Sequence, residues 1–394
     1  MRRYLSRFKE AFLKGDLILL LLCVVASAFG CLVIASTTNA SSLGPWRFVI
    51  IQLLAALLGI ACYVLISSID AETFSEHRFA LVIFNIFLLL LLIPFGTDNN
   101  SGNRSWLNFP FLPFDIQPAE ICKITYVLIM ASVMASHQNQ ISSYRTIGHI
   151  LLHLGLIVGL NMIVSGDLGV SLIFAFIFLG MSFGGGVNLF WFAFAGGIIA
   201  LVAPIAYNFF LDPYQQERIA VLFNPSLDPY GTGPLYHSVR AMRSLTGGGL
   251  TGQGLFNGNR TQTYGALFAQ HTDYIFAAIG EELGFLGCTF VLLLLFLIIA
   301  RCIWVGVRSQ DMLRRLICFG AASALIFQVV INVGMCLGVM PVIGLTLPFI
   351  SYGGSSIISL YAMLGLVSGV YARPKPTSHE RYIHPPLKFQ GEYL

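Results

Sequence analysis

Ten stretches of roughly 20 apolar residues run through the chain, and nothing else limits its possible folds so sharply. A helix rising 1.5 Å per residue needs about 20 residues to cross a hydrocarbon core of about 30 Å. The stretches fall at about 17–37, 46–68, 79–96, 118–136, 146–164, 168–184, 187–210, 273–300, 315–339 and 348–371. Only Gly184-Gly185-Gly186 separates the sixth from the seventh. Backbone polar groups in lipid must be satisfied within the spanning element itself. The expected fold class is therefore an all-α polytopic membrane protein with ten transmembrane helices. Charged residues are 10% of the chain, against about a quarter in soluble domains. Residues 1–394 read as one membrane domain, with no internal or inverted repeat of the kind many transporters carry. The basic start runs into the first span without a small-residue cleavage site, so no cleavable signal is expected.

Orientation follows from Lys and Arg placement. With the N-terminus inside, the cytoplasmic segments hold 15 of the 22 basic residues, including Arg78, Arg145, Arg301, Arg308, Arg314 and Arg373. An even number of spans puts both termini in the cytoplasm: residues 1–16 form the N-terminal segment and 372–394 the tail. The outside keeps Arg47, Arg104, Arg218, Arg240, Arg243 and Arg260. Lys123 falls within the fourth span. All eight cysteines lie in or beside apolar spans, without metal-ligand spacing, and read as small packing residues.

Two outer loops are more than connectors. The first covers 97–117. The second, 211–272 between the seventh and eighth spans, is rich in turn signals such as Asn224-Pro225, Asp228-Pro229 and Gly247-Gly248-Gly249. Interspersed Tyr214, Phe223, Tyr236, Leu245 and Phe256 suggest an ordered loop hugging the membrane. A loop this long in a compact protein is usually functional or disordered.

Ionisable groups at the membrane are expensive, so each needs a reason. Glu120 and Lys123 lie three apart after Pro118, on one helix face. They form either a structural ion pair or one edge of a polar cavity for an anionic substrate. Arg104 and Trp106 are either an interfacial anchor or a sugar or pyrophosphate contact. Asp167 is either the cap of the sixth helix or a site residue. Arg218, Arg240, Arg243 and Arg260 are solvated singly or bind phosphate together. Asp273 is expected in the first turn of the eighth helix, where the macrodipole favours a carboxylate. At 100° per residue, Ala277, Gly280, Gly284 and Gly287 share the face below it, with Glu281 about 80° away and Glu282 opposite. Such a small-residue stripe means close helix packing, or a groove for a lipid chain beneath Asp273.

Six motifs in order carry a resemblance. They are Gly102-x-Arg104-x-Trp106, Gln117-Pro118-Ala119-Glu120 with Lys123, Asp167-Leu168-Gly169, Asn224-Pro225-x-x-Asp228-Pro229-x-Gly231-x-Gly233, His271-Thr272-Asp273-Tyr274-Ile275-Phe276 continuing through Gly280-Glu281-Glu282-Leu283-Gly284, and Pro341-x-x-Gly344-x-x-Leu347-Pro348-Phe349-x-Ser351-Tyr352-Gly353-Gly354-Ser355-Ser356. Across nearly its whole length the chain resembles the SEDS family (shape, elongation, division and sporulation proteins). It departs from the usual pattern at Ser165-Gly166, at His237-Ser238 and at Leu267-Phe268-Ala269-Gln270.

The resemblance implies a peptidoglycan glycosyltransferase of the bacterial cytoplasmic membrane. Such a protein polymerises lipid II at the outer face beside a class B penicillin-binding protein. Asp273 matches the family's essential aspartate. Arg104, Trp106, Glu120, Lys123, Asp167, Arg218, Arg243, Ser351 and Ser355 are the expected substrate-binding residues. A divalent cation (Mg2+ or Mn2+) is a further expectation beside the arginines, with no ligand set assigned. A lipid II flippase and a non-catalytic scaffold for the cross-linking partner are the rival classes.

Overall fold

The computed structural model describes residues 14–39, 44–98, 103–110, 112–209, 213–228, 233, 235–263 and 265–373. The expectations for residues 1–13, 374–394, Gly102, Pro229, Gly231 and the Arg218 and Tyr214 side chains lie outside the described residues. Among the described residues, nine helices are long and apolar enough to cross a membrane. They are α1 (Leu17–Thr37), α2 (Pro45–Ser67), α4 (Arg78–Phe95), α5 (Pro118–Ser136), α6 (Tyr144–Val164), α8 (Leu189–Phe209), α11 (Ile275–Arg308), α12 (Met312–Cys336) and α13 (Gly354–Ala372). The sixth stretch also forms an apolar helix, α7 (Leu168–Gly184), of 17 residues. A short helix, α3 (Ala71–Glu76), precedes α4. The protein is a multi-pass membrane protein.

Apolar side chains sort by what they face. Leu21, Leu57, Ile83, Leu152 and Phe296 are exposed on the outer helix faces, while Leu19, Tyr126, Phe174, Leu316 and Tyr361 are fully buried between helices. Without a hydrophobic drive between helices in lipid, packing relies on close approach at small residues. Gly30 shows this: a Cβ there would stand 2.7 Å from the Ile350 carbonyl oxygen.

The segments 97–117 and 211–272 carry more regular structure, among the described residues, than their turn signals suggest. Gly96–Thr97 (β1) and Trp106–Leu107 (β2) pair antiparallel, Thr97 opposite Trp106. Pro213–Phe223 (α9) and Tyr236–Gly247 (α10) are helical, and α10 packs on the start of α11.

α11 is not one continuous helix. Gly284 has φ 65° and ψ −161°, a break within the 34 residues of Ile275–Arg308. A break frees backbone groups that lipid cannot satisfy, so protein must take them. The segment 249–254 does so. The amides of Gln253 and Gly254 donate to the carbonyls of Glu281 and Glu282 at 3.0 and 2.9 Å. In return the amides of Phe285 and Leu286 donate to the carbonyls of Gly249 and Leu250 at 2.9 and 3.1 Å. Glycine is required on both sides: a Cβ on Gly252 would stand 2.2 Å from the Glu282 oxygen, and one on Gly284 would stand 2.4 Å from the Gly252 nitrogen.

Of the two readings of the small-residue stripe, close packing is the one seen. Ala277, Gly280, Gly284 and Gly287 are all buried, and Leu245 and Gly248 of the α10 region fill the face at Gly280. The small residues admit a loop, not a lipid chain.

Candidate functional site

The two ends of the helices differ in how they hold their carboxylates. Asp16 lies at the start of α1, where its carboxylate accepts from Arg301 Nε and Nη2 at 2.8 and 3.1 Å and caps the Leu19 amide at 3.1 Å. Nearby, Arg314 makes a fork on Glu72 at 2.9 and 2.8 Å and reaches Asp311 at 3.3 Å. Asp16, Glu72 and Arg314 are buried. α11 runs antiparallel to α1, because Arg301 meets Asp16 while Glu282 meets Ser36. At that opposite end, neutral donors hold the acids. Glu282 accepts from Ser36 Oγ at 2.5 Å, Thr261 Oγ1 at 2.7 Å and Gln262 Nε2 at 3.0 Å. Glu281 accepts from the Arg260 amide at 2.7 Å. Both glutamates are buried, in keeping with a structural role.

Asp167 caps α7, accepting from the Val170 amide at 3.1 Å. Its other oxygen accepts from Gln117 Nε2 at 3.3 Å and Ser105 Oγ at 3.4 Å. Burial nevertheless raises its carboxyl above the usual range. The Gln117 amide donates to Ser355 Oγ at 3.4 Å. These contacts join the first outer loop, α5, α7 and α13 into one wall. Arg104 is exposed and Trp106 half-buried, held beside that wall by the β1–β2 ladder.

Glu120 and Lys123 form a buried pair at 2.8 Å. Ser359 donates to the second Glu120 oxygen at 2.5 Å. The pair therefore ties α5 to α13. Arg240 Nη1 donates to the carbonyls of Gly265 and Ala266 at 2.9 and 3.2 Å, and the guanidinium lies 4.2 Å over the Tyr236 ring. The Arg260 guanidinium approaches the Arg240 carbonyl at 3.5 Å. Arg243 is exposed on α10.

Asp273 stands apart from all of these. Among the described residues nothing donates a hydrogen bond to its carboxylate, although it is half-buried. Burial pushes its carboxyl up to about 6. It sits ahead of α11, whose cap is Tyr274, and not in the first turn as expected. The turn is tight: the amides of Thr272 and Tyr274 both donate to the Ala269 carbonyl, and Ala269 has φ 46°. His271 packs against Phe48 and Tyr352 at 5.2 and 5.8 Å between ring centroids, and burial lowers its imidazole below the ordinary range. A neutral imidazole leaves the neighbouring carboxylate without a cation. Across from it, a Cβ on Gly344 would stand 3.4 Å from Asp273 Oδ2.

Two residues take roles the sequence did not assign. The Asn332 carboxamide donates to the Asp273 carbonyl at 2.8 Å and the Leu345 carbonyl at 2.6 Å. Ser351, expected to touch substrate, donates to the Thr272 carbonyl at 2.6 Å and accepts from the Leu347 amide at 2.8 Å. The one signal for Asn332 was an amide side chain near the end of an apolar span.

The fold and this site define a multi-pass membrane protein with one uncommitted carboxylate ahead of a broken helix. A family model described as cell cycle protein, the FtsW/RodA/SpoVE type, matches residues 16–375, and the chain belongs to that family. It is 32% identical over 321 residues to the peptidoglycan glycosyltransferase MrdB of Escherichia coli (strain K12), covering 82% of this chain and 85% of that one. It is 29% identical over 369 residues to a probable peptidoglycan glycosyltransferase FtsW of Geobacter metallireducens, covering 92% and 96%. A solved peptidoglycan synthase complex, in which polymerisation and crosslinking are coordinated, aligns with TM-score 0.77 and 29% identity over 92% of this chain and 99% of that one.

Proposed function

We propose that this chain is a peptidoglycan glycosyltransferase that polymerises lipid II at the outer face of the cytoplasmic membrane beside a class B penicillin-binding protein. The observation that carries the reading is Asp273: a half-buried carboxylate with no donor among the described residues and a carboxyl pushed up to about 6. A general base works best with its pKa near the operating pH, contributing about 10²–10⁴-fold.

In the reaction, the acceptor sugar's 4-hydroxyl oxygen attacks the donor's anomeric carbon. A new carbon–oxygen bond forms as the bond to pyrophosphate breaks. Asp273 takes the hydroxyl proton. Undecaprenyl pyrophosphate leaves with the electron pair, and exposed Arg104 and Arg243 are the guanidinium groups available to its charge. Among the described residues no three His, Cys, Asp or Glu side chains gather to hold a metal ion; a divalent cation carried by the pyrophosphate would add to the same charge stabilisation. The polyprenyl chains stay in the bilayer beside the apolar outer helix faces. The names of the family relatives and the synthase-complex alignment support both the activity and the partner class.

The test is polymerisation of lipid II by purified protein, with and without a co-purified class B penicillin-binding protein. Glycan product from the native chain and none from Asp273→Asn is expected. Full-rate polymerisation by a folded Asp273→Asn would remove the base assignment.

A further inference from the structure

Three successive carbonyls of the Asp273 turn are held from outside the turn. The His271 carbonyl accepts from the Tyr352 amide at 2.8 Å. The Thr272 carbonyl accepts from the Ser351 hydroxyl at 2.6 Å. The Asp273 carbonyl accepts from the Asn332 carboxamide at 2.8 Å. A turn ahead of a helix normally leaves such groups to solvent or to its own next turn. Here three separate donors converge on three adjacent residues.

The donors are themselves fixed. The Gln52 side chain brackets the Ser351–Gly353 backbone, donating to the Ser351 carbonyl at 3.0 Å and accepting from the Gly353 amide at 3.2 Å. Asn332 is fully buried, and its second N–H goes to the Leu345 carbonyl at 2.6 Å. One carboxamide therefore spans from the backbone of Asp273 to the backbone beside Gly344. Gly344 has φ 73° and faces Asp273 Oδ2 with no side chain between them.

We propose that Asn332 is a positioning residue for glycosyl transfer. Its two N–H groups set the separation between Asp273 and the Gly344–Leu345 backbone, and so fix where the carboxylate meets the attacking hydroxyl. Ser351 serves the same end one residue earlier in the turn. This rests on Asp273 acting as the base. A misplacement of about 1 Å at a reacting group can cost about 100-fold.

The experiment measures kcat and KM for lipid II polymerisation, with melting temperature and partner co-purification as folding readouts. Asn332→Leu keeps the branching of the side chain, with methyl groups in place of the amide, and removes both donors. The expected result is a folded protein with kcat about 10–100-fold lower and KM within about twofold of native. A folded Asn332→Leu with native kcat, or with only KM changed, overturns the proposal. If Asn332→Leu does not fold, Ser351→Ala decides in the same assay. A drop in kcat at unchanged KM supports the clamp, and native kcat or a change in KM alone overturns it. Failure of the base reading looks different, because Asp273→Asn would then polymerise at native rate.

Discussion

The two ends of the helix bundle solve the same problem with opposite chemistry. At the Asp16 end, carboxylates are matched with guanidinium groups: Asp16 with Arg301, and Glu72 and Asp311 with Arg314. At the Asp273 end, Glu282 and Asp167 are held by hydroxyls and amides, Glu120 is matched with Lys123, and Asp273 receives no donor among the described residues. Matched charges lock an end but cannot do proton chemistry, because each acid is already committed. Neutral donors hold the scaffold around Asp273 without placing a cation beside it. A nearby guanidinium would drive its pKa down and weaken it as a base.

The largest effect expected from this contrast is on rate. Asp273→Asn should cut lipid II polymerisation by about 10²–10⁴-fold, read as glycan product from purified protein. Arg314→Ala should do the reverse. It removes the guanidinium fork on buried Glu72, and breaking a buried ion pair costs about 3–5 kcal/mol, so the melting temperature falls while kcat per folded molecule stays native. If Arg314→Ala changed kcat as strongly as Asp273→Asn, the contrast between the ends would collapse.

Gly284→Leu tests the junction between loop and helix. The side chain meets Gly252 and Leu250 backbone in a left-handed conformation, at a cost of about 2–4 kcal/mol. Both stability and activity should fall, and a variant indistinguishable from native would mean that the loop does not pack there.

The smallest effects are in pH. With its carboxyl near 6, Asp273 must be ionised to act, so the rate should fall as pH drops through about 6. The sign for stability is opposite. A carboxyl raised in the folded state favours folding when protonated, a contribution present below the usual carboxylate range and lost as pH rises through about 6. Asp273→Asn should therefore melt slightly above native at pH 7.5 and equally at pH 4, measured by thermal unfolding in detergent.

How much of this was legible in the sequence follows from the physics of each feature. The spans were readable because the bilayer imposes length and apolarity together, and α1, α2 and α4 through α6 begin and end within about two residues of expectation. Asp273 drew notice because a charge at a membrane entrance is rare, but its expected role as a base came from the family resemblance. The break at Gly284 was not, since glycines spaced three and four apart satisfy helix packing and a broken helix equally well. The helices α9 and α10 were hidden because a short amphipathic helix on a loop has no span-length signal. Asn332 escaped assignment, and Ser351 was expected to touch substrate and not the Asp273 turn, for a different reason. Their partners are backbone carbonyls some 60 to 80 residues away in sequence, and side-chain spacing carries no trace of them.

The break at Gly284 also bears on how the chain enters the membrane during synthesis. Residues 275–283 make a rod of only about 13 Å, too short to cross alone, whereas residues 285–308 extend about 36 Å. The shorter piece depends on residues 249–254 for its terminal hydrogen bonds. Those residues are made first and must wait outside the bilayer until the helix follows them. The short rod therefore gains its terminal partners only when residues 249–254 and 281–286 meet. The Asp273 turn is completed only when α12 and the segment through Tyr352 arrive. A ribosome-bound fragment ending before Asn332 would hold every span up to α11 and still lack the side chains that hold the Asp273 turn.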